Sequence, residues 1–283
     1  MAGGAESPAS SGRGPNGLAV VGARELRAML RTNLLWLVPM MGFVVLMAAL
    51  QPSMSGDGGL LAAKLRAMPP VVLKFIGIAL QDFHRPAGYA ATTFIYVVLV
   101  GSLHAAAFGA SVVAREEALR TAELLFAQPV SRRALLAGKT AAALAFVLSF
   151  HLLLAAGMIG TFAISTDAPL EADLLASLFV GSAALAVCFL GAGMLVASLV
   201  RDARRANGAA LGVVLGAYLL SALSAVARKA ELLGWLSPFK LFSPSRIVEE
   251  GGLAPWHTAL LVVLGVVFGA AAAIRFEHRD IRA

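Results

Sequence analysis

The chain has 283 residues, 59% of them hydrophobic and only 14% charged, with a formal net charge of +7 and a mean hydropathy of +0.82. Soluble domains average about 45–50% apolar and about 25% charged residues, so this apolar excess has no water-soluble shell to sit beneath and must face lipid. The single cysteine, Cys188, excludes an internal disulfide or a cysteine-built zinc or iron–sulfur centre. The basic excess is what positive-inside loops and anionic headgroups select, which argues against nucleic acid as a partner.

Residues 1–17, rich in Gly, Ser, Pro and Ala, lack the apolar core of a signal peptide and read as a disordered cytoplasmic tail. From Leu18 to Arg31, Leu18, Val21, Leu26, Met29 and Leu30 recur at mainly helical spacing, with Arg24, Arg27 and Arg31 on another face. This pattern predicts an amphipathic helix over 18–31 lying in the inner interface, where an anionic leaflet attracts the basic stripe. The alternative is an extension of the first membrane span.

A spanning helix needs about 20 residues, at 1.5 Å each, to cross about 30 Å of hydrocarbon. Six stretches free of Asp, Glu, Lys and Arg meet this: between Arg31 and Asp57, Arg85 and Arg115, Lys139 and Asp167, Asp173 and Arg201, Arg205 and Arg228, and Glu250 and Arg275. Residues 32–283 are therefore expected to form an all-α polytopic domain of six transmembrane helices. Fifteen of the 23 basic residues fall in the two termini and in loops 2 and 4. The positive-inside rule then places both termini, and those loops, in the cytoplasm of a cell bounded by this inner (plasma) membrane. On the other side, Pro69-Pro70 followed by an apolar run with Lys74 in its middle, within residues 67–80, predicts a short helix in the outer interface. Trp235, Pro238, Phe239, Phe242, Pro244, Gly251 and Gly252 predict an interrupted apolar segment before the last span.

Within the spans, His104 and His151 are ionisable groups at depth and candidates for a pathway, or for a haem or metal site; the alternative is a neutral histidine bonded to a neighbouring helix. Gly208, Gly212 and Gly216 repeat every fourth residue in span 5 and share one face, which suits close packing within the bundle or across a dimer interface. Gly265 and Gly269 in span 6 show the same spacing, which chance accounts for in a chain with 28 glycines.

The loop from Ala114 to Arg133 carries Arg115, Glu116, Glu117, Arg120 and Glu123 beside Leu119, Leu124, Leu125 and Phe126. Pro129 cannot continue a helix and Ser131 is a good cap for the next, ahead of Arg132 and Arg133. Helix, break, helix is expected, either as a docking element or as a solvated loop. Glu117, Thr121, Glu123, Leu125, Pro129, Ser131, Arg132, Gly138 and Lys139 stand as in the signature of ABC-2 type permeases, the membrane subunits of one class of ATP-binding-cassette exporter. This segment resembles that signature, with Arg120 where the family usually has glycine. Arg24-Glu25-Leu26-Arg27 is similar to the opening of the family's elbow helix, and Ser237-Pro238-Phe239-Lys240 to its Ser-Pro-Phe stretch before the last span.

The resemblance implies a permease subunit that exports a substrate as a homodimer or close heterodimer, in contact with membrane lipids. It implies that Glu116, Glu117, Arg120, Thr121, Glu123, Leu125, Pro129, Ser131 and Arg132 form a coupling helix in a groove of a separate cytoplasmic ATPase, which holds ATP and Mg. The chain itself has no Gly-x-x-x-x-Gly-Lys-Ser/Thr loop, and no His-Glu-x-x-His or Gly-x-Ser-x-Gly, so neither ATP hydrolysis nor an intramembrane enzyme is expected of it, and no cofactor of its own.

Overall fold

The computed structural model describes residues 15–54, 63–64, 67–75, 86–119, 132–165, 171–200, 202–227 and 231–277. Among these there is no strand, and the helices are α1 (Pro15–Met54), α2 (Pro70–Phe75), α3 (Pro86–Leu119), α4 (Arg132–Ser165), α5 (Ala172–Leu199), α6 (Ala203–Val226), α7 (Glu231–Gly234), α8 (Pro238–Leu241), α9 (Pro244–Glu250) and α10 (Pro255–Glu277). Six of these ten begin on a proline, whose fixed φ suits the first helical turn and whose missing N–H removes nothing there. Helices α1, α3, α4, α5, α6 and α10 each contain a segment long and apolar enough to cross a membrane. The protein is thus an all-α polytopic membrane protein.

Burial separates the six spans into two kinds. In the most apolar windows of α3 and α5, 72% and 61% of residues are buried, against 22% in α1, α6 and α10. Helices α3 and α5 pack along each other at the centre; α10 lies against α5, α6 against α3, and α1 against α4. The peripheral helices show a buried stripe and an apolar outer face. In α1 the stripe is Asn33, Leu37, Met40, Val44, Ala48 and Gln51, while Leu35, Val38 and Leu46 face outward, the spacing of a helix packed on one side and bathed in lipid on the other.

The central helices meet through glycine. A Cβ on Gly109 of α3 would run into the backbone of Leu190 in α5, and one on Gly193 of α5 into the backbone of Ala106 in α3. Gly191 and Gly265 bring α5 and α10 equally close. With lipid as apolar as leucine, helix association in a bilayer depends on such contact of backbones more than on the hydrophobic effect. Gly265 therefore has a packing role, contrary to the expectation that its spacing is chance, whereas none of the described residues lies within 4 Å of where a Cβ on Gly269 would stand.

The amphipathic helix expected over 18–31 is not a separate element. One helix of 40 residues runs from Pro15 to Met54, so 18–31 extends span 1, and the helix already begins within the segment expected as tail. No proline stands between Pro15 and Pro39, so nothing in that stretch removes a helical hydrogen bond. Residues 1–14 lie outside the described residues.

At the end of the bundle where α5 turns into α6, Asp202 caps α6, its carboxylate accepting from the Arg204 N–H at 2.9 Å and lying 3.2 Å from the Arg205 side chain. At the opposite, distal end the interrupted segment resolves into α7, α8 and α9. Ser237 caps α8 by accepting from the Phe239 N–H (3.2 Å) and donates its hydroxyl to the Ala217 carbonyl of α6 (2.7 Å). The Ser-Pro-Phe stretch thus works as cap, helix start and buried anchor, with Phe239 packed into the core. Helix α9 ends at Gly251 with φ 74°, a left-handed conformation that glycine adopts without a Cβ penalty.

Candidate functional site

The loop-end site begins where α3 and α4 converge. Glu116 and Glu117 stand on the last turns of α3, which ends at Leu119, and Arg132 opens α4 directly after Ser131. Arg120, Thr121, Glu123, Leu125, Pro129 and Ser131 lie outside the described residues. The loop therefore connects the most buried span directly to a neighbour against which it packs.

Deeper in the same three-helix contact is a polar cluster of α1, α3 and α4. His104 is fully buried, and its Nε2 lies 2.9 Å from the Asn33 Oδ1. Asn33 donates through Nδ2 to the Ser149 hydroxyl at 3.3 Å, and that hydroxyl donates to the Phe146 carbonyl at 2.8 Å. Followed from Ser149 backward, the donors and acceptors require the Nε2–H tautomer of His104, leaving Nδ1 as an acceptor without a partner among the described residues. The imidazole stacks on Phe150, with centroids 4.3 Å apart and planes at 22°, and touches Phe108 at 4.7 Å. His151 bonds through Nδ1 to the Val147 carbonyl one turn back (2.8 Å), and its ring fills the space beside Gly101.

His104 is thus bonded to a neighbouring helix, the geometry of the plainer alternative, whereas His151 bonds to a carbonyl of its own helix. His104 is closed by a ring on its face and an amide on Nε2, an environment unlike that of an axial haem ligand. Among the described residues, no group of three or more His, Cys, Asp or Glu side chains converges as metal ligands would. Asn33 escaped the sequence reading because, two residues after Arg31, it resembles an ordinary headgroup-level residue; its one signal is an amide on the buried stripe of an apolar helix.

Gly208, Gly212 and Gly216 have nothing within 4 Å of where a Cβ would stand. They do not pack within the bundle. The buried stripe of α6 is Ala206, Ala210 and Val214, each two residues, or about 200° of helix rotation, away from a glycine. The glycine face is therefore turned outward, away from the rest of the described residues.

Two cavities open between the helices. An apolar groove of about 620 Å³ runs between α4, α5 and α10, with Leu144, Met194 and Phe276 among its walls. A smaller one, about 260 Å³, lies at the distal end beneath α8 and α9, where Tyr218, Ser221 and Ser224 of α6 face Lys240, Ser243 and Arg246. The sequence gives no sign of this second site, since its residues are brought together by the folding back of α7 to α9 onto α6.

No curated protein and no solved structure gives a significant match to the chain. Residues 19–281, by contrast, match the family described as ABC-2 family transporter protein. That match takes in all six spans, the loop between α3 and α4 and the distal helices, and agrees with the helical, six-span architecture. The chain belongs to the ABC-2 family of transporter membrane proteins.

Proposed function

We propose that this protein is the permease subunit of an ATP-binding-cassette exporter driven by a separate ATPase subunit, with both termini and the α3–α4 loop on the cytoplasmic side of the plasma membrane. The observation that carries the reading is the family match over residues 19–281, which includes the loop bearing the Glu-Pro-Ser-Arg signature. Glu116, Glu117, Arg120, Thr121, Glu123, Leu125, Pro129, Ser131 and Arg132 form the element that enters a groove of the ATPase. Its closure on ATP and Mg displaces the loop, and α3 carries that displacement into the bundle because it packs against α1, α4, α5 and α6. The bonds from Asn33 to His104 and to Ser149 make α1 follow α3 and α4.

The working unit is a dimer in which the outward glycine face of α6 meets a second permease. Support comes from its geometry: three glycines in register on a face that none of the described residues covers, of the kind that lets helix backbones approach in a bilayer. The test of the whole reading is affinity purification of the tagged chain from membranes in mild detergent. An ATP-binding-cassette ATPase is expected to accompany it, and to be lost when Glu117 and Glu123 are both changed to Lys. Recovery of the chain without any ATPase, under conditions that preserve its fold, would contradict it.

A further inference from the structure

Among the described residues that line it, the distal cavity carries two cations and no anion. Lys240 and Arg246 both line it, together with the hydroxyl-bearing Tyr218, Ser221, Ser224 and Ser243, and none of these described lining residues is an Asp or Glu. Lys240 has its ammonium 5.9 Å from the Trp235 ring. Arg246 has one carboxylate near it, Glu250, with Nε 3.8 Å from Oε1 and more than half of the Glu250 side chain exposed to solvent. That contact is long for a charge-assisted bond and leaves most of the guanidinium fork unused. The remaining walls are apolar: Phe75 of α2, Ile95 and Val98 of α3, Phe239 and Phe242.

Lys240 and Arg246, the latter held only by a long contact to the exposed Glu250, leave donors in this cavity that an anion can satisfy. The wall chemistry states which anion. Serine and tyrosine hydroxyls beside Lys and Arg suit the oxygens of a phosphate, which accept from several donors at once. Apolar and aromatic walls next to those donors suit hydrocarbon. At about 260 Å³, the space is below the usual 300–1,000 Å³ of a site that encloses a whole drug-sized molecule, so it accommodates a head group and leaves a long tail outside.

We propose that this cavity binds the phosphate-type head group of an anionic amphiphile through Lys240 and Arg246, with the tail running into the surrounding bilayer. As a statement of what the permease handles, it rests on the export reading above. The test reads binding by the isolated chain, without ATP or partner, so the two readings fail separately.

The experiment uses the full chain in non-ionic detergent with Trp36 and Trp256 replaced by Phe, so that Trp235, beside Lys240, is the reporter. Brominated phosphatidylglycerol, brominated phosphatidylcholine and inorganic phosphate are titrated in turn, the last also as a competitor. Phosphatidylglycerol is expected to quench saturably, at least ten-fold more tightly than phosphatidylcholine. The Lys240→Gln/Arg246→Gln variant should bind it at least ten-fold more weakly, while Lys240→Arg/Arg246→Lys, which keeps both charges, should retain it. Equal quenching by the two lipids, or unchanged binding in the Gln variant, would overturn the proposal. So would inorganic phosphate competing at the same concentrations as the lipid, because the site would then take a free anion without need of a tail.

Discussion

The amide of Asn33 and the imidazole of His104 meet 2.9 Å apart in a region otherwise walled by Trp36, Phe108 and Phe150. Interhelical polar bonds in membranes average about 0.6 kcal/mol and reach about 1.7, because the separated helices also find partners. A double-mutant cycle of Asn33→Leu and His104→Leu should therefore give a coupling of about 1 kcal/mol, read by detergent unfolding; a coupling near zero would remove this clasp from the account. The sequence displayed His104 because an ionisable side chain in a charge-free span stands out. It concealed Asn33, which is uncharged and close to the span's end, and it could not pair the two, since 71 positions separate them. Lys240 and Arg246 were equally visible as charges and equally silent about sharing a cavity.

Among the helices, glycines divide by what their missing side chain admits. Gly109 and Gly193 admit the backbone of the facing helix, so Gly109→Val is expected to destabilise the protomer by about 1–3 kcal/mol through overpacking, seen as a lower midpoint of thermal aggregation in detergent. Gly212→Leu should leave that midpoint unchanged and lower the dimer fraction measured by light scattering, since the face of α6 bearing it is open among the described residues. A monomer midpoint falling as much as for Gly109→Val would refute the outward placement. Periodicity revealed that Gly208, Gly212 and Gly216 share a face but not what covers it, because a helical period fixes direction only relative to its own helix. Gly109 belongs to no four-residue glycine repeat in its span and could be recognised only from the helix crossing. The unbroken α1 has the same origin: an amphipathic pattern over 18–31 specifies a helix and its faces, and gives no break between it and the span that follows.

For the molecule as a whole, the six spans were legible because hydrocarbon thickness imposes a length and a composition that few other structures share. Their arrangement was not, because every outward face is apolar whether it meets lipid or protein, so α3 and α5 could not be singled out as central. Sidedness is set by basic residues and can be tested with cysteine labelling, Cys188 being buried and silent. A cysteine at Ala122 should react with an impermeant maleimide only after cells are opened, and one at Ser245 in intact cells; the reverse pattern would invert the proposed topology. The direction of coupling depends on that result, since an ATPase can reach the α3–α4 loop only from the cytoplasm.

The proposed role of the α3–α4 loop is to transmit the work of a separate ATPase. The decisive measurement is ATP hydrolysis by the ATPase subunit reconstituted with the permease, comparing the native chain with Glu117→Lys and Glu123→Lys in proteoliposomes. The native chain is expected to alter the hydrolysis rate several-fold, and each charge reversal to remove that effect while leaving the ATPase's own basal rate intact. Unchanged coupling in both variants would contradict it.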